Sequence, residues 1–212
     1  MIRLHIILDK SGSMFSVRES TISAFNEYVT TLQNDKHKYS MSLTLFDTVV
    51  TTPLVQVPLQ DFEPLSGKTY APSGSTALYD AVCTTLVNAT ATTVKKSSGK
   101  TKDKNLAVII TDGLENSSRE YTEEQFVKMM RDMEEQGNWT FVYLGANHDA
   151  WAVAQKYGFQ RGNTMSTIST KQGVVASYSV LARSTRKYAG SSVMNTNNFV
   201  SYHQQVEVEP TK

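Results

Sequence analysis

The chain has 212 residues, 40% of them hydrophobic and 19% charged, which suits one domain with at most a short appendage and is too apolar for a disordered chain. Lysine and arginine total 21 against 20 acids, a net charge of +1, so no long-range field draws the protein to nucleic acid or to an anionic membrane. The single cysteine, Cys83, excludes an intramolecular disulfide and a Cys-based zinc site.

The run Leu4–Leu8 is continuously apolar, the pattern of a strand covered on both faces. It ends at Asp9, too short for a secretory core or for the roughly 20 apolar residues of a membrane span. No membrane association is expected, and a reducing, cytoplasmic setting is. Between Ser16 and Asn34, Ile22, Phe25, Val29 and Leu32 fall at helical spacing. Met41, Leu43 and Leu45 alternate with Ser42 and Thr44, a strand by its period of two. Thr48 to Val57 reads as its antiparallel hairpin partner, pushed to the sheet edge by Pro53 and Pro58. Residues 61–75 are a loop. Helical spacing resumes at Leu78, Val82, Leu86 and Ala89, and Lys95 to Lys104 is a polar loop. Leu106–Ile110 is a second buried-strand run. Thr122-Glu123-Glu124-Gln125 is a capping box, with Phe126, Met129, Met130 and Met133 inward and Gly137 as the stop. Thr140–Leu144 is a strand, Asp149–Tyr157 a short helix, and Gln172–Tyr188 one more helix. The last 20 or so residues look poorly packed.

Strands separated by helices imply a mostly parallel sheet with helices on both faces, whose ligands sit at the carboxyl ends of the strands. Three segments there carry oxygen donors. Asp9-Lys10-Ser11-Gly12-Ser13-Met14 follows the first strand, Thr111-Asp112-Gly113 follows the Leu106–Ile110 strand, and Ser73-Gly74-Ser75-Thr76 opens the helix beginning at Ala77. Asp9, Ser11 and Ser13 are spaced by two, so their side chains share a side in extended chain, and Gly12 lets the backbone bend around one point. Two carboxylates and three hydroxyls suit a hard divalent cation, Mg²⁺ or Mn²⁺ first and Ca²⁺ less well. With at most two carboxylates against six octahedral positions, such an ion stays under-neutralised and open to a partner's carboxylate.

Asp9-x-Ser11-x-Ser13, with Gly74-Ser75-Thr76-Ala77-Leu78-Tyr79-Asp80-Ala81 and Ile110-Thr111-Asp112-Gly113, resembles the von Willebrand factor type A domain family over roughly residues 1–160. The resemblance implies a metal-ion-dependent adhesion site in which Asp9, Ser11, Ser13, Thr76 and Asp112 surround one ion. It also implies a Rossmann-like α/β three-layer sandwich: a six-stranded, mostly parallel sheet with one antiparallel edge strand. Residues 161–190 are then a helical extension packing on that domain, and 191–212 a flexible tail.

The function expected is a protein-binding module that catalyses nothing. Another protein presents Asp or Glu to the ion, and a rim near residues 47–48, 114–118 and 146–149 sets specificity. A metal-dependent hydrolase and a self-assembling structural protein are the alternatives. A phosphotransferase with Asp9 as nucleophile would want an acid at Ser11, a P-loop would need glycine where Phe62 precedes Gly67-Lys68-Thr69 or Val94 precedes Gly99-Lys100-Thr101, and no Gly-x-Ser-x-Gly elbow occurs. His148 and Asp149 belong to the rim or to ordinary loop and cap chemistry. Glu115 and Asn116 either orient the ligands or are loop polars. The methionine stripe is core packing, and Cys83 is buried and inert. Lys95, Lys96, Lys100, Lys102 and Lys104 form a solvated loop rather than a nucleic-acid contact. Arg183, Arg186 and Lys187 line the polar face of the last helix.

Overall fold

The computed structural model describes residues 1–96, 103–146 and 150–200, the side chains of 93–96 excepted. Six strands form one sheet: β1 (Ile2–Asp9), β2 (Tyr39–Phe46), β3 (Val50–Pro58), β4 (Lys104–Thr111), β5 (Trp139–Ala146) and β6 (Thr164–Thr167). Their order is β3-β2-β1-β4-β5-β6, with every pairing parallel except β2 with β3. This is the mostly parallel α/β sheet with one antiparallel edge that the residues imply. Pro53 and Pro58 lie on that edge strand, where a missing N–H costs no ladder bond.

Helices α1 (Arg18–Gln33) and α5 (Lys171–Gly190) cover one face, and α2 (Leu78–Lys96), α3 (Glu123–Glu134) and α4 (Ala150–Lys156) the other. The apolar positions read from helical spacing are the ones that pack: Ile22, Phe25, Val29 and Leu32 of α1 are buried in the first core, with Leu78, Val82, Leu86 and Ala89 of α2 in the second. Thr122 and Gln125 make the reciprocal capping-box bonds that start α3. Phe126 and Met130 are buried, while Met129 and Met133 pack against them from the margin. Burial pushes the Cys83 thiol up to about 12, so it stays protonated and inert.

Winding reverses at the middle of the sheet. Chain leaving β1 returns to β2 on one side, and β4 continues on the other, so the crevice between β1 and β4 is the switch point at which open α/β sheets bind ligands. The candidate segments all gather at that end.

The opposite end corrects part of the lysine reading. Lys104 is not in a solvated loop: it opens β4 and is buried, its ammonium donating to the carbonyls of Tyr188 (2.9 Å) and Ser191 (2.6 Å) at the end of α5. A cation satisfying terminal carbonyls of a helix replaces the water it loses. Lys100 and Lys102 and the side chains of Lys95 and Lys96 lie outside the described residues, as do His148, Asp149 and residues 201–212. Residues 191–200 fold back on the body rather than trailing from it. Tyr188 donates to Met194 O (2.6 Å), Asn163 bonds both Thr196 O (2.7 Å) and Phe199 N (2.8 Å), and Phe199 is buried.

His5, fully buried in β1, stacks on Trp139 and pairs Nε2 with Asn105 Oδ1 at 3.2 Å. Desolvation, with Arg3 adding to it, pulls its pKa from 6.5 to about 4. Between those values the unfolded chain binds more protons, so this stabilisation is full above pH 6.5 and is lost as pH falls through 4. The shift corresponds to about 3 kcal/mol. In urea titrations, the stability difference between wild type and His5→Phe should therefore change by about that amount between pH 7 and pH 4. A pH-independent difference would contradict the assignment.

Candidate metal centre

Asp9 closes β1 and is buried completely. Its Oδ1 accepts from the Ser11 amide (2.6 Å) and its Oδ2 from the Thr111 hydroxyl (2.6 Å). Its backbone carbonyl accepts from Tyr70 (2.6 Å). The carboxylate is thus aimed from both sides by groups on its own loop and on the adjacent strand.

A short 3-10 turn over Gly12–Val17 then carries the serines round. Ser11 Oγ and Ser13 Oγ are 3.1 Å apart, and Ser13 donates to Asp112 Oδ1 at 2.5 Å. Four of the five residues expected to surround an ion, Asp9, Ser11, Ser13 and Asp112, are therefore joined by one run of hydrogen bonds. Thr76, the fifth, is buried beside them. A Cβ added to Gly113 would sit 3.0 Å from Thr76 Oγ1 and 3.8 Å from Ser13 Oγ, so the two hydroxyls border a crevice kept open by the glycine's lack of a side chain.

Burial pushes the Asp9 carboxyl from 3.8 up to about 6, against the bonds from Thr111 and Ser11, with the Asp112 charge adding to the rise. Two buried carboxylates raising each other's charging cost beside three hydroxyls is the condition a divalent cation relieves. Among the described residues, no group of three or more His, Cys, Asp or Glu side chains could hold a metal. A cation here would rest on two carboxylates, with neutral oxygens supplying the rest. That donor set fits a hard ion and does not fit a thiolate- or imidazole-seeking one.

The supporting loops are held by three carboxylates, none of them in the proposed ligand set. Asp47 pairs with Lys10, accepts from Ser73 (2.8 Å) and Val49 N (2.7 Å), and receives Ala77 N on its carbonyl (2.9 Å). Burial pushes its carboxyl up, but those bonds hold it below the ordinary range. Glu115 accepts from Tyr79 N (3.1 Å), Ser117 N (2.9 Å), Ser118 N (2.7 Å) and Ser118 Oγ (2.7 Å). Asp80 accepts from the amides of Arg119, Glu120 and Tyr121 at 2.8–3.0 Å. Asn116 adds a reciprocal latch with Thr76: Thr76 N donates to Asn116 Oδ1 (2.8 Å) and Asn116 N to Thr76 O (3.0 Å). Glu115 and Asn116 therefore orient the Thr76 segment. Gly74 has φ +64°, and a Cβ there would meet Thr48 Oγ1 at 2.5 Å, the hydroxyl that accepts from Ser75 N.

Sequence reasoning missed Thr111, Asp47 and Asp80 as supports. Thr111 and Asp80 stand inside the quoted motifs, and their bonds run to residues up to 102 positions away. If the crevice is the cation's place, Gly113→Ala should weaken Mn²⁺ binding on the order of tenfold, as loss of ligand support does, with metal-free melting little changed. Isothermal titration with Mn²⁺ reads this, and an unchanged affinity would place the cation elsewhere.

No family model and no curated protein matches the sequence. Solved structures do match in three dimensions. Proximal thread matrix protein 1 from the mussel byssus superposes with a TM-score of 0.62 at 10% identity, over 86% of this chain and 47% of that one. It is also known in a form with a zinc-occupied MIDAS motif. The vWF domain of the type V pili tip protein Mfa5 from Porphyromonas gingivalis gives 0.62 at 9% identity, over 90% and 96%. A von Willebrand factor type A protein from Catenulispora acidiphila gives 0.58 at 12%, over 87% and 42%. The chain thus spans about half the length of the mussel and Catenulispora chains and nearly all of the Mfa5 domain. At these identities the likeness is one of fold.

Proposed function

We propose that this chain, which has the von Willebrand factor type A fold, is a non-enzymatic, metal-ion-dependent protein-binding module. Asp9, Ser11, Ser13, Thr76 and Asp112 would hold one divalent cation, Mg²⁺ or Mn²⁺, directly or through water. The cation would supply a positive, incompletely neutralised Lewis acid to which an Asp or Glu of another protein adds.

The observation that carries this reading is the run of hydrogen bonds from Asp9, through the Ser11 amide and then the Ser11 and Ser13 hydroxyls, to Asp112 at the sheet's switch point, with only two carboxylates in it. The zinc-occupied motif of the mussel protein supports a divalent ion on this fold. The non-enzymatic reading is supported by the fate of the neighbouring charges. Lys10 and Asp47 neutralise each other and Glu115 is spent on four internal bonds, so neither acid is left as a general base. No described helix is long and apolar enough to cross a membrane. The cytoplasmic setting stays part of the proposal on the strength of the lone, buried Cys83, although two of the similar structures come from a byssus and a pilus tip.

Water-proton relaxation on the Mn²⁺-loaded protein tests the open position. Fast-exchanging water should be detected and should fall when acetate is added. An ion that relaxes no water, or is indifferent to acetate, would be a sealed structural staple.

A further inference from the structure

Among exposed neutral polar residues such as Ser13, Thr48, Ser75 and Asn116, three large apolar side chains next to the candidate centre also meet solvent. Phe15 is 71% exposed, Val49 61% and Leu114 54%. Phe15 lies two residues after Ser13, and Leu114 two after Asp112. Val49 lies one after Thr48, whose hydroxyl holds the Ser75 amide beside Thr76. A two-residue step spans at most about 7 Å, so each apolar side chain starts next to a ligand or to a ligand's support. In the 3-10 turn burial recurs every third residue, Met14 and Val17 pointing in, and Phe15 is one of the exposed positions between them. Folding does not demand these exposures, since a polar residue at each position would leave the core unchanged.

The charges nearest the ligands among the described residues are, by contrast, engaged internally. Lys10 is bound to Asp47, and Glu115 and Asp80 are consumed by backbone amides and a serine hydroxyl. Among the described residues, an arriving polyanion or polycation would find no free charge at Lys10, Asp47, Asp80 or Glu115, and the exposed pair that follows on the loop, Arg119 and Glu120, is of opposite sign. One carboxylate set among apolar side chains would find the ion for the former and the three hydrophobes for the latter.

We infer that Phe15, Val49 and Leu114 form an apolar collar, and that the partner is a protein surface presenting a single Asp or Glu flanked by bulky apolar side chains. The inference rests on the metal-dependent reading above and adds the chemistry of what surrounds the acid. Burial of three such side chains around one desolvated ion–carboxylate contact is the usual arrangement of an energetic centre in an interface.

The test is a phage-displayed library of constrained hexapeptides with a fixed central Glu and randomised flanks, selected in Mn²⁺ and eluted with EDTA. On the wild type the flanks should become enriched in Leu, Ile, Phe and Trp. On the Phe15→Ser/Leu114→Ser double variant that enrichment should vanish, and peptides selected on the wild type should bind it at least tenfold more weakly. Mn²⁺ titration of the same variant should give the wild-type affinity; if the variant binds no Mn²⁺, Val49→Ser, outside the ligand loops, takes its place. EDTA-eluted peptides with charged or unbiased flanks would overturn the collar and leave the metal reading standing. No EDTA-eluted peptides, together with no Mn²⁺ binding, would overturn both. A Mn²⁺-dependent dimer of the protein alone, seen by sedimentation, would overturn it in favour of a second copy as the occupant.

Discussion

Mn²⁺ at one hundred times its dissociation constant should raise the melting temperature of the wild-type protein by roughly 5–11 °C. A ligand bound only by the folded state contributes about 2.7 kcal/mol at that excess, and a chain of this size shifts by about 2–4 °C per kcal/mol. In Asp9→Asn the shift should disappear, because one of only two anionic donors is gone. In Thr76→Val, which removes a neutral oxygen and keeps the shape, it should shrink to an intermediate value. Differential scanning calorimetry with Mn²⁺ and with EDTA reads all three. Equal shifts in the wild type and Asp9→Asn would mean that the metal binds somewhere other than the β1–β4 crevice.

Without metal the same substitution should act in the opposite direction. The folded protein holds the Asp9 carboxyl near pH 6 while the unfolded chain leaves it at 3.8. Between those values the folded state binds more protons, so stability from this group is present at low pH and is lost as pH rises through 6. The loss at neutral pH corresponds to about 3 kcal/mol. Metal-free Asp9→Asn should then be more stable than wild type at pH 7.5 by up to about 3 kcal/mol, with the advantage gone at pH 4. Urea titrations in EDTA at the two pH values measure it. In Mn²⁺ at pH 7.5 the order of the two proteins should reverse, and Mn²⁺ affinity should fall as protons compete below pH 6. Because Asn keeps only one acceptor for the Ser11 amide and the Thr111 hydroxyl, the decisive reading is the change with pH: a stability difference that stays the same from pH 4 to pH 7.5 would show that Asp9 is not an electrostatic burden in the folded protein.

β1 and β4 are legible in the sequence because both faces are buried and the apolar run is unbroken, and α3 is legible because its capping box is local. The site residues are legible for a related reason: Asp9, Ser11 and Ser13 lie within five positions, and the three segments each follow a strand or open a helix. β6 is not legible. Thr164-Met165-Ser166-Thr167 has no clear alternation, and its pairing with Tyr143–Ala146 comes from the neighbouring strand rather than from its own composition. Lys104 reads as solvent-exposed, since nothing nearby in sequence announces that the end of α5 will supply carbonyls to its ammonium. The packing of residues 191–200 is hidden likewise, resting on Asn163 and Tyr188 bonding backbone groups that follow them in the chain. The supports Asp47 and Asp80 look like surface acids until their amide and hydroxyl partners are seen, and the same kind of partners decide for Glu115 between loop polar and orienting residue.

The most direct measurement is anomalous diffraction from crystals grown with Mn²⁺. One strong peak is expected within coordination distance of oxygens of Asp9 or Asp112 and of the Ser11, Ser13 and Thr76 hydroxyls, with at least one position filled by water or an outside carboxylate. Loops arranged as described, with no peak there at saturating Mn²⁺, or a peak ligated on every side by the protein's own atoms, would contradict this expectation.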